Sequence, residues 1–396
     1  MMHPTEQSQL LADVEEFCQK LRPIEELCYV EHRFNDQVLP LALRYNLLAM
    51  PVPTEYGGRG ADSVTYLRAL ARIGREGTGP RTFFSGHTSI GQYPILTWGS
   101  AELKRRYLPA AAQGEKILAF GLTEPDAGSN PLEMTSTYQK RGDHYVLNGV
   151  KYLISNGGIC DAVVVFAYPA GPDGQKQPGG RISAFVVDRG EGFVSEDLTA
   201  KMGMPTSNTA MFELRDCKVP AGNLLGEEGQ GFRIAMGTLV SGRLSVAAGC
   251  LGVIEDCLAE CVQYCQERHQ HGKPIGKHQL VQEHLAAIEQ ARFASEAVLL
   301  QAANAKDASN AEPTNAALRS RADLLAAQSK LFITNAAWDA ADHAVQIYGG
   351  RGWSTLYRVG RHLMDVRVCR IYEGADEILK MKVASSLLGK EYEAYR

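Results

Sequence analysis

Four segments of the chain combine charged, hydroxyl and glycine residues in patterns that chemistry can use. In RIYEGADEILKM (370–381), Glu373 stands beside Gly374, just ahead of a helical pattern that opens with Asp376 and Glu377. Acids at a helix N-terminus complement its dipole, for roughly 0.3–1 kcal/mol each. Asp376 and Glu377 satisfy that account without Glu373. GLTEPDAGSN (121–130) can aim backbone N–H groups and hydroxyls at one ligand, or form a capped surface turn. The paired glycines of QIYGGRG (346–352) let a bulky polar group such as a pyrophosphate approach the backbone, or merely end a helix. ERHQHGKPIGKHQ (267–279) sets Arg268 and Lys273 around His269, His271 and His278, as a phosphate-contacting turn or a solvated loop between helices. Its histidine spacing fits no standard metal pattern, and neither a Walker lysine nor a strand-embedded GxGxxG is present.

These segments must be positioned by three kinds of element. Over about 8–116, LLADVEEFCQKL, VLPLALRYNLL and SVTYLRALARIG carry apolar residues at three- and four-residue spacing, which predicts helices. From about 118 the period changes. HYVLNGVKYLIS (144–155), DAVVVFAY (161–168), RISAFVVD (181–188) and TAMFELRD (209–216) read as strands, and PAGPDGQKQPGG (169–180) as an exposed hairpin connection. After Gly231 four long apolar-striped segments predict a helical bundle. The expected domains are therefore 1–117 helical, 118–228 β and 229–396 helical, an order that excludes the alternating βα pattern of a dinucleotide-binding sheet.

Composition narrows the function. The 396 residues carry 41 Lys and Arg against 45 Asp and Glu, a net charge of −4 that offers no basic coat for nucleic acid. The N-terminus lacks the basic head and apolar block of a secretion signal, and no run approaches the ~18 apolar residues of a membrane span. A cytoplasmic protein with no membrane partner is expected. Nine cysteines are too few for a disulfide scaffold in this length, and Cys257, Cys261 and Cys265 fall on one helix face, which cannot enclose a tetrahedral metal. No metal site is expected.

Taken together, six motifs resemble the acyl-CoA dehydrogenase family along essentially the whole chain. LTEPDAGSN (122–130) is similar to LTEPxAGSD, NGVKYLISNG (148–157) to NGxKxWITN, and KMGM with CKVP (201–220) to the closing strands of the family's barrel. RHQHGKPIGKHQ is similar to RxxFGxPLxxxQ, QIYGGRGW to QxxGGxGY, and IYEGADEI to IYEGTSEI. The resemblance implies an α+β multidomain fold: an N-terminal helical domain, a central β-barrel and a C-terminal four-helix bundle. It implies FAD as cofactor and dehydrogenation of an acyl thioester between Cα and Cβ, with Glu373 as the base. It further implies that Phe120, Leu122, Thr123, Ser129, Leu153 and Ser155 line the flavin, with Ala375 and Glu377 near the cofactor. Arg268, His271, His278, Gln279, Gln346, Gly349 and Gly350 would reach FAD bound largely by a neighbouring copy, making the protein a homo-oligomer, a dimer or dimer of dimers. Ser129, Arg243 and Gly374 fall on the substrate side, and the thioester carbonyl would be polarised by the FAD ribityl hydroxyl and the Glu373 N–H.

Some members place the base directly before that arginine, where this chain has Gly242. Departures from the family pattern are Asn130 for Asp, Leu153 for Trp, His271 for Phe, Ala375 for Thr and Val240 for an Asp that touches the carrier. GRLSVAAGCLG (242–252) also looks like a branch acting on carrier-protein-bound acyl groups. The expected partners are an acyl-CoA or acyl-carrier-protein thioester, with an electron-transfer flavoprotein or oxygen as acceptor. The competing expectation is a helical scaffold without flavin chemistry, suggested by Leu153, Asn130 and Ala375.

Overall fold

The computed structural model describes residues 2–392. The first third is helical: α1 (Pro4–Val30), α2 (Val38–Arg44), α3 (Ser63–Gly74), α4 (Thr78–Phe84), α5 (Tyr93–Trp98) and α6 (Ala101–Ala112). Local chemistry sets several starts. His3 and Glu6 form a reciprocal cap on α1, and Asp62 accepts the Thr65 N–H at 2.7 Å at the start of α3. Between α4 and α5 the chain widens into a fully buried π-helical turn, Ser85–Gln92. Within it, burial lowers the His87 imidazole to about 4. The neutral ring then accepts the Leu118 N–H at Nδ1, 3.0 Å away, and ties this turn to the first strand.

The middle third holds β1 (Leu118–Gly121), β2 (Thr137–Arg141), β3 (His144–Ser155), β4 (Ala162–Pro169), β5 (Ser183–Asp188), β6 (Phe193–Asp197), β7 (Thr209–Pro220) and β8 (Leu224–Leu225). Pairing runs β6-β7-β3-β2-β4-β5-β8, with β1 parallel to β4, around a core of Tyr138, Tyr145, Phe185 and Phe212. The barrel is thus open between β6 and β8. The four sequence-predicted strands are present. β2 (TYQKR) and β6 (FVSED) lack a clear alternation and exist because neighbouring strands supply their hydrogen bonds.

The last third is α7 (Gly231–Glu267), a short hairpin of β9 (His269–Gln270) and β10 (Lys273–Pro274), then α8 (Gln279–Ala311), α9 (Ala316–Tyr348), α10 (Arg358–Cys369) and α11 (Asp376–Leu388). α10 escapes sequence patterning because its buried face mixes Arg358, Arg361, His362 and Asp365 with Val359, Val366 and Cys369. Charge pairing adds to its packing: Asp256 of α7 accepts from Arg358 and His362, each at 2.8 Å, and from Arg22 at 3.0 Å. α7 corrects one expectation, for it does contain an 18-residue window of mean hydropathy 1.5, long and apolar enough to cross a membrane. That window is 83% buried, which makes it the core of the helical layers. The small residues of GRLSVAAGCLG have a packing role here. A Cβ on Gly74 of α3 would lie 2.8 Å from the Gly249 Cα, so the two helices touch backbone to backbone.

Candidate active site

Glu373 sits in the turn between α10 and α11. Its φ of +55° and the +105° of Gly374 put two successive residues in the left-handed region, uncommon for a side-chain-bearing residue and sustained only by its surroundings. Those surroundings are cationic. Arg243 of α7 donates from Nε to the Glu373 carbonyl at 3.2 Å and from Nη1 to Asp323 at 3.0 Å. Lys330 of α9 donates to the Gly374 carbonyl at 2.8 Å, and Arg81 of α4 donates to the Tyr372 hydroxyl. The sequence motifs expose Arg243 and Glu373 but not Arg81 or Lys330. A lone lysine in AAQSKLFITNAA was the one available sign.

The Glu373 carboxylate packs on α7 where Gly242 leaves room. A Cβ on Gly242 would lie 2.6 Å from the Glu373 Cδ. Oε2 is fully shielded and accepts no hydrogen bond among the described residues, so desolvation pushes the carboxyl up to about 7 against the pull of Arg243, Arg81 and Lys330. A carboxylate poised there can exchange a proton at neutral pH. Among the described residues the Glu373 N–H also has no partner. Asp376 opens α11, as expected, but is buried there and also accepts from Asn335 and Arg370, both at 2.9 Å. Glu377 is exposed, and Ala375 is the uncapped N-terminal residue of α11.

A cavity of about 1420 Å³ opens between α3, the π-helical turn, the first half of α7 and the facing ends of α8 and α9. Tyr66, Ser89, Val240, Leu244 and Asp323 are on its wall. Glu373 is not, and reaches the wall through Arg243 and Asp323.

Around the barrel mouth, the segment after β1 is fixed by Glu124. Its carboxylate pairs with buried Lys151 at 2.8 Å and accepts the Thr135 and Ser136 N–H groups at 2.7 and 3.1 Å. The Tyr152 N–H donates to the Thr123 carbonyl at 2.9 Å, which sets Thr123 beside Leu153 and Ser155. Leu153 has a φ of +59° and is 57% exposed, an apolar surface available to a flat ring. Thr123, Ser129 and Ser155 keep hydroxyls without partners among the described residues. Phe120 and Leu122 are buried side chains, so what they can offer a ligand is backbone. Asn130 caps the turn Pro131–Glu133 through the Leu132 N–H at 3.3 Å.

The remaining predicted residues gather at the other end of α7. Arg268 follows Arg243 by some 25 residues, about 37 Å at the rise of an α-helix. There the β9–β10 turn presents exposed His271, whose ring meets that of His278 at 6.1 Å, and Gln279 opens α8. Tyr264 stacks on Tyr348 at 4.0 Å, which brings in exposed Gln346, Gly349 and Gly350 at the end of α9. A Cβ on either glycine would meet nothing within 4 Å. Among the described residues the buried His278 Nε2 has no partner, an orphaned polar atom of the kind a bound polar group satisfies. The predicted site residues thus fall into two groups far apart along α7. Among the described residues, no cluster of three or more His, Cys, Asp or Glu side chains could hold a metal.

Comparison with known proteins gives concordant matches. The chain fits models described as the N-terminal, middle and C-terminal domains of acyl-CoA dehydrogenase over residues 4–115, 119–217 and 229–388. A curated acyl-CoA dehydrogenase of Bacillus subtilis is 37% identical over 391 residues, 98% of this chain and 100% of the relative. Among solved structures, an acyl-CoA dehydrogenase from Bacillus anthracis complexed with FAD superposes with a TM-score of 0.89 at 31% identity, over 98% of this chain and 67% of that one. A prolyl acyl carrier protein oxidase superposes with a TM-score of 0.87 at 29% identity, over 98% of this chain and 100% of the other.

Proposed function

The chain belongs to the acyl-CoA dehydrogenase family, oxidoreductases acting on CH–CH groups, and we propose that it uses FAD to dehydrogenate an acyl thioester with Glu373 as the α-proton acceptor. The observation that carries this is the Glu373 carboxylate: shielded, without a hydrogen-bond donor, and poised near 7 beside α7. Bound FAD supplies the acceptor for the hydride that leaves Cβ. The chain's own residues do the rest. Glu373 takes the proton from Cα, so the two hydrogens depart as proton and hydride and leave a trans-2,3 double bond. The unpartnered Glu373 N–H is free to polarise the thioester carbonyl, which acidifies Cα. The open cavity is large enough for an acyl group with part of its carrier arm, since small-ligand pockets run to about 1,000 Å³.

Thr123, Ser129, Leu153 and Ser155 would hold FAD from this chain. Arg268, His271, His278, Gln279, Gln346, Gly349 and Gly350 would serve the FAD of a second copy, because about 37 Å of α7 separates them from Arg243. The protein is therefore proposed to be an oligomer. Leu280, Phe293 and Phe332, apolar and exposed on α8 and α9, suit such an interface. All nine cysteines are free and buried, consistent with a reducing, cytoplasmic setting.

The test is anaerobic loss of flavin absorbance with a panel of acyl-CoA thioesters. Wild type should bleach with at least one, and Glu373→Gln should not. A Glu373→Gln protein bleaching at the wild-type rate would sink the assignment of the base. The likeness to a carrier-protein oxidase supports a second reading, in which the acyl group arrives on a carrier protein and oxygen is the acceptor. Matched CoA and carrier-protein thioesters in the same assay separate the two.

A further inference from the structure

Three cations from three helices converge on three consecutive residues. Arg81 reaches the Tyr372 hydroxyl from α4, Arg243 the Glu373 carbonyl from α7, and Lys330 the Gly374 carbonyl from α9. Arg81 is 1% exposed and Lys330 0%, and burying a cation is unfavourable unless an acid pairs with it. Arg243 has Asp323 at 3.0 Å and Lys330 has Asp376 at 3.7 Å. Among the described residues Arg81 has no carboxylate within ion-pair distance, and its Nε is buried without an acceptor. α7 is thinned to admit it: a Cβ on Gly249 would lie 2.6 Å from the Arg81 Nε. What meets that charge is the Tyr372 side chain, by its hydroxyl and its ring, in the turn that carries Glu373.

We propose that Arg81 and Lys330 are positioning residues for Glu373, which together with Arg243 hold the Tyr372–Gly374 turn in its left-handed form and set how tightly the carboxylate binds its proton. The inference rests on Glu373 being the base. Two carbonyls and one side chain of the turn are each tied to a different helix, so the turn cannot relax to ordinary backbone angles without losing a charged hydrogen bond. Burial alone would keep the carboxyl protonated at neutral pH, where it could not act as a base, and the nearby positive charges oppose that. The other groups facing the turn do not cancel them. Asp376 is shared with Arg370 and Asp323 with Lys382. The Tyr372 hydroxyl and the Cys250 thiol are pushed up and stay neutral. Cys369, whose Sγ lies 3.2 Å from the Tyr372 hydroxyl, is lowered by its hydrogen bond with Cys250 and is the one neighbour able to titrate nearby.

The experiment follows the carboxyl itself. In the FAD-loaded full-length protein, the Glu373 carboxyl band, identified as the one missing from Glu373→Gln, is titrated by infrared difference spectroscopy. Thiols absorb elsewhere, so Cys369 does not interfere. Arg81→Met and Lys330→Met should each raise the midpoint by about one pH unit, the size expected for removing a nearby partly buried charge. Arg81→Lys and Lys330→Arg should restore it, and the pH midpoint of anaerobic flavin reduction should move in parallel. Midpoints unchanged within a few tenths of a unit in both methionine variants overturn the proposal. So does an Arg81→Met protein that changes only its preference between anionic and neutral acyl groups, since Arg81 would then read the substrate. If Lys330→Met fails to fold, the Arg81 pair decides. Normal bleaching by Glu373→Gln would defeat the base assignment, while the infrared titration would still judge the electrostatic claim.

Discussion

Gly242→Ala is the smallest change that tests where Glu373 sits. The added Cβ would fall 2.6 Å from the Glu373 Cδ, whereas non-bonded carbons settle about 3.5–4.0 Å apart, so the carboxylate must withdraw by about 1 Å. The group displaced is the free end of a flexible side chain, so the fold gives way easily. Alanine in a helix interior also gains about 0.5–1 kcal/mol over glycine. Catalysis has no such latitude, since a misplacement of about 1 Å costs on the order of 100-fold in rate. That is about 2.7 kcal/mol of transition-state stabilisation. Stopped-flow anaerobic flavin reduction under single-turnover conditions, with thermal melts alongside, should show the rate falling by about that factor while Tm holds or rises. A Gly242→Ala protein reducing its flavin within about threefold of wild type, well short of that penalty, would refute the contact between α7 and the base. A fall in Tm together with rate would point to packing instead.

Three further outcomes are expected. Glu373 has a folded value near 7 against an ordinary 4.5, so the folded chain binds this proton more tightly than the unfolded chain. The resulting stability is present below about 4.5 and is lost as pH rises through 7, up to about 3 kcal/mol. Glu373→Gln should therefore melt above wild type at pH 8 and level with it at acid pH; equal melts at both would mean the carboxyl is not raised. Lys151→Met strands the buried Glu124 carboxylate and should cost about 3–5 kcal/mol in urea unfolding. A loss under about 1 kcal/mol, the range of exposed pairs, would show that the pair is solvated. Leu280→Asp combined with Phe293→Asp should yield monomers by analytical ultracentrifugation and weaken FAD retention. A double variant that stays assembled would place the interface elsewhere.

Much of this molecule was legible in its residues because the relevant physics is local. Helices follow from apolar residues at three- and four-residue spacing, strands such as Ala162–Pro169 from a short unbroken apolar run, and the α, β, α order from the change of period. Glu373 and Gly374 were legible because a short motif carries them. What only the tertiary structure decided is what meets across long stretches of chain. Arg81 joins Tyr372 over 291 positions, and Arg243 joins the Glu373 carbonyl over 130. No periodicity records such a pairing, since a buried charge leaves no pattern in its own neighbourhood. The same holds for α10, whose inward face mixes charged and apolar residues, and for Gly242, whose missing Cβ matters only because a carboxylate from another element fills the space. The sequence by itself named a carboxylate able to do chemistry. Its protonation is decided by burial and by three charges brought together from separate helices, quantities that exist only once the chain has folded.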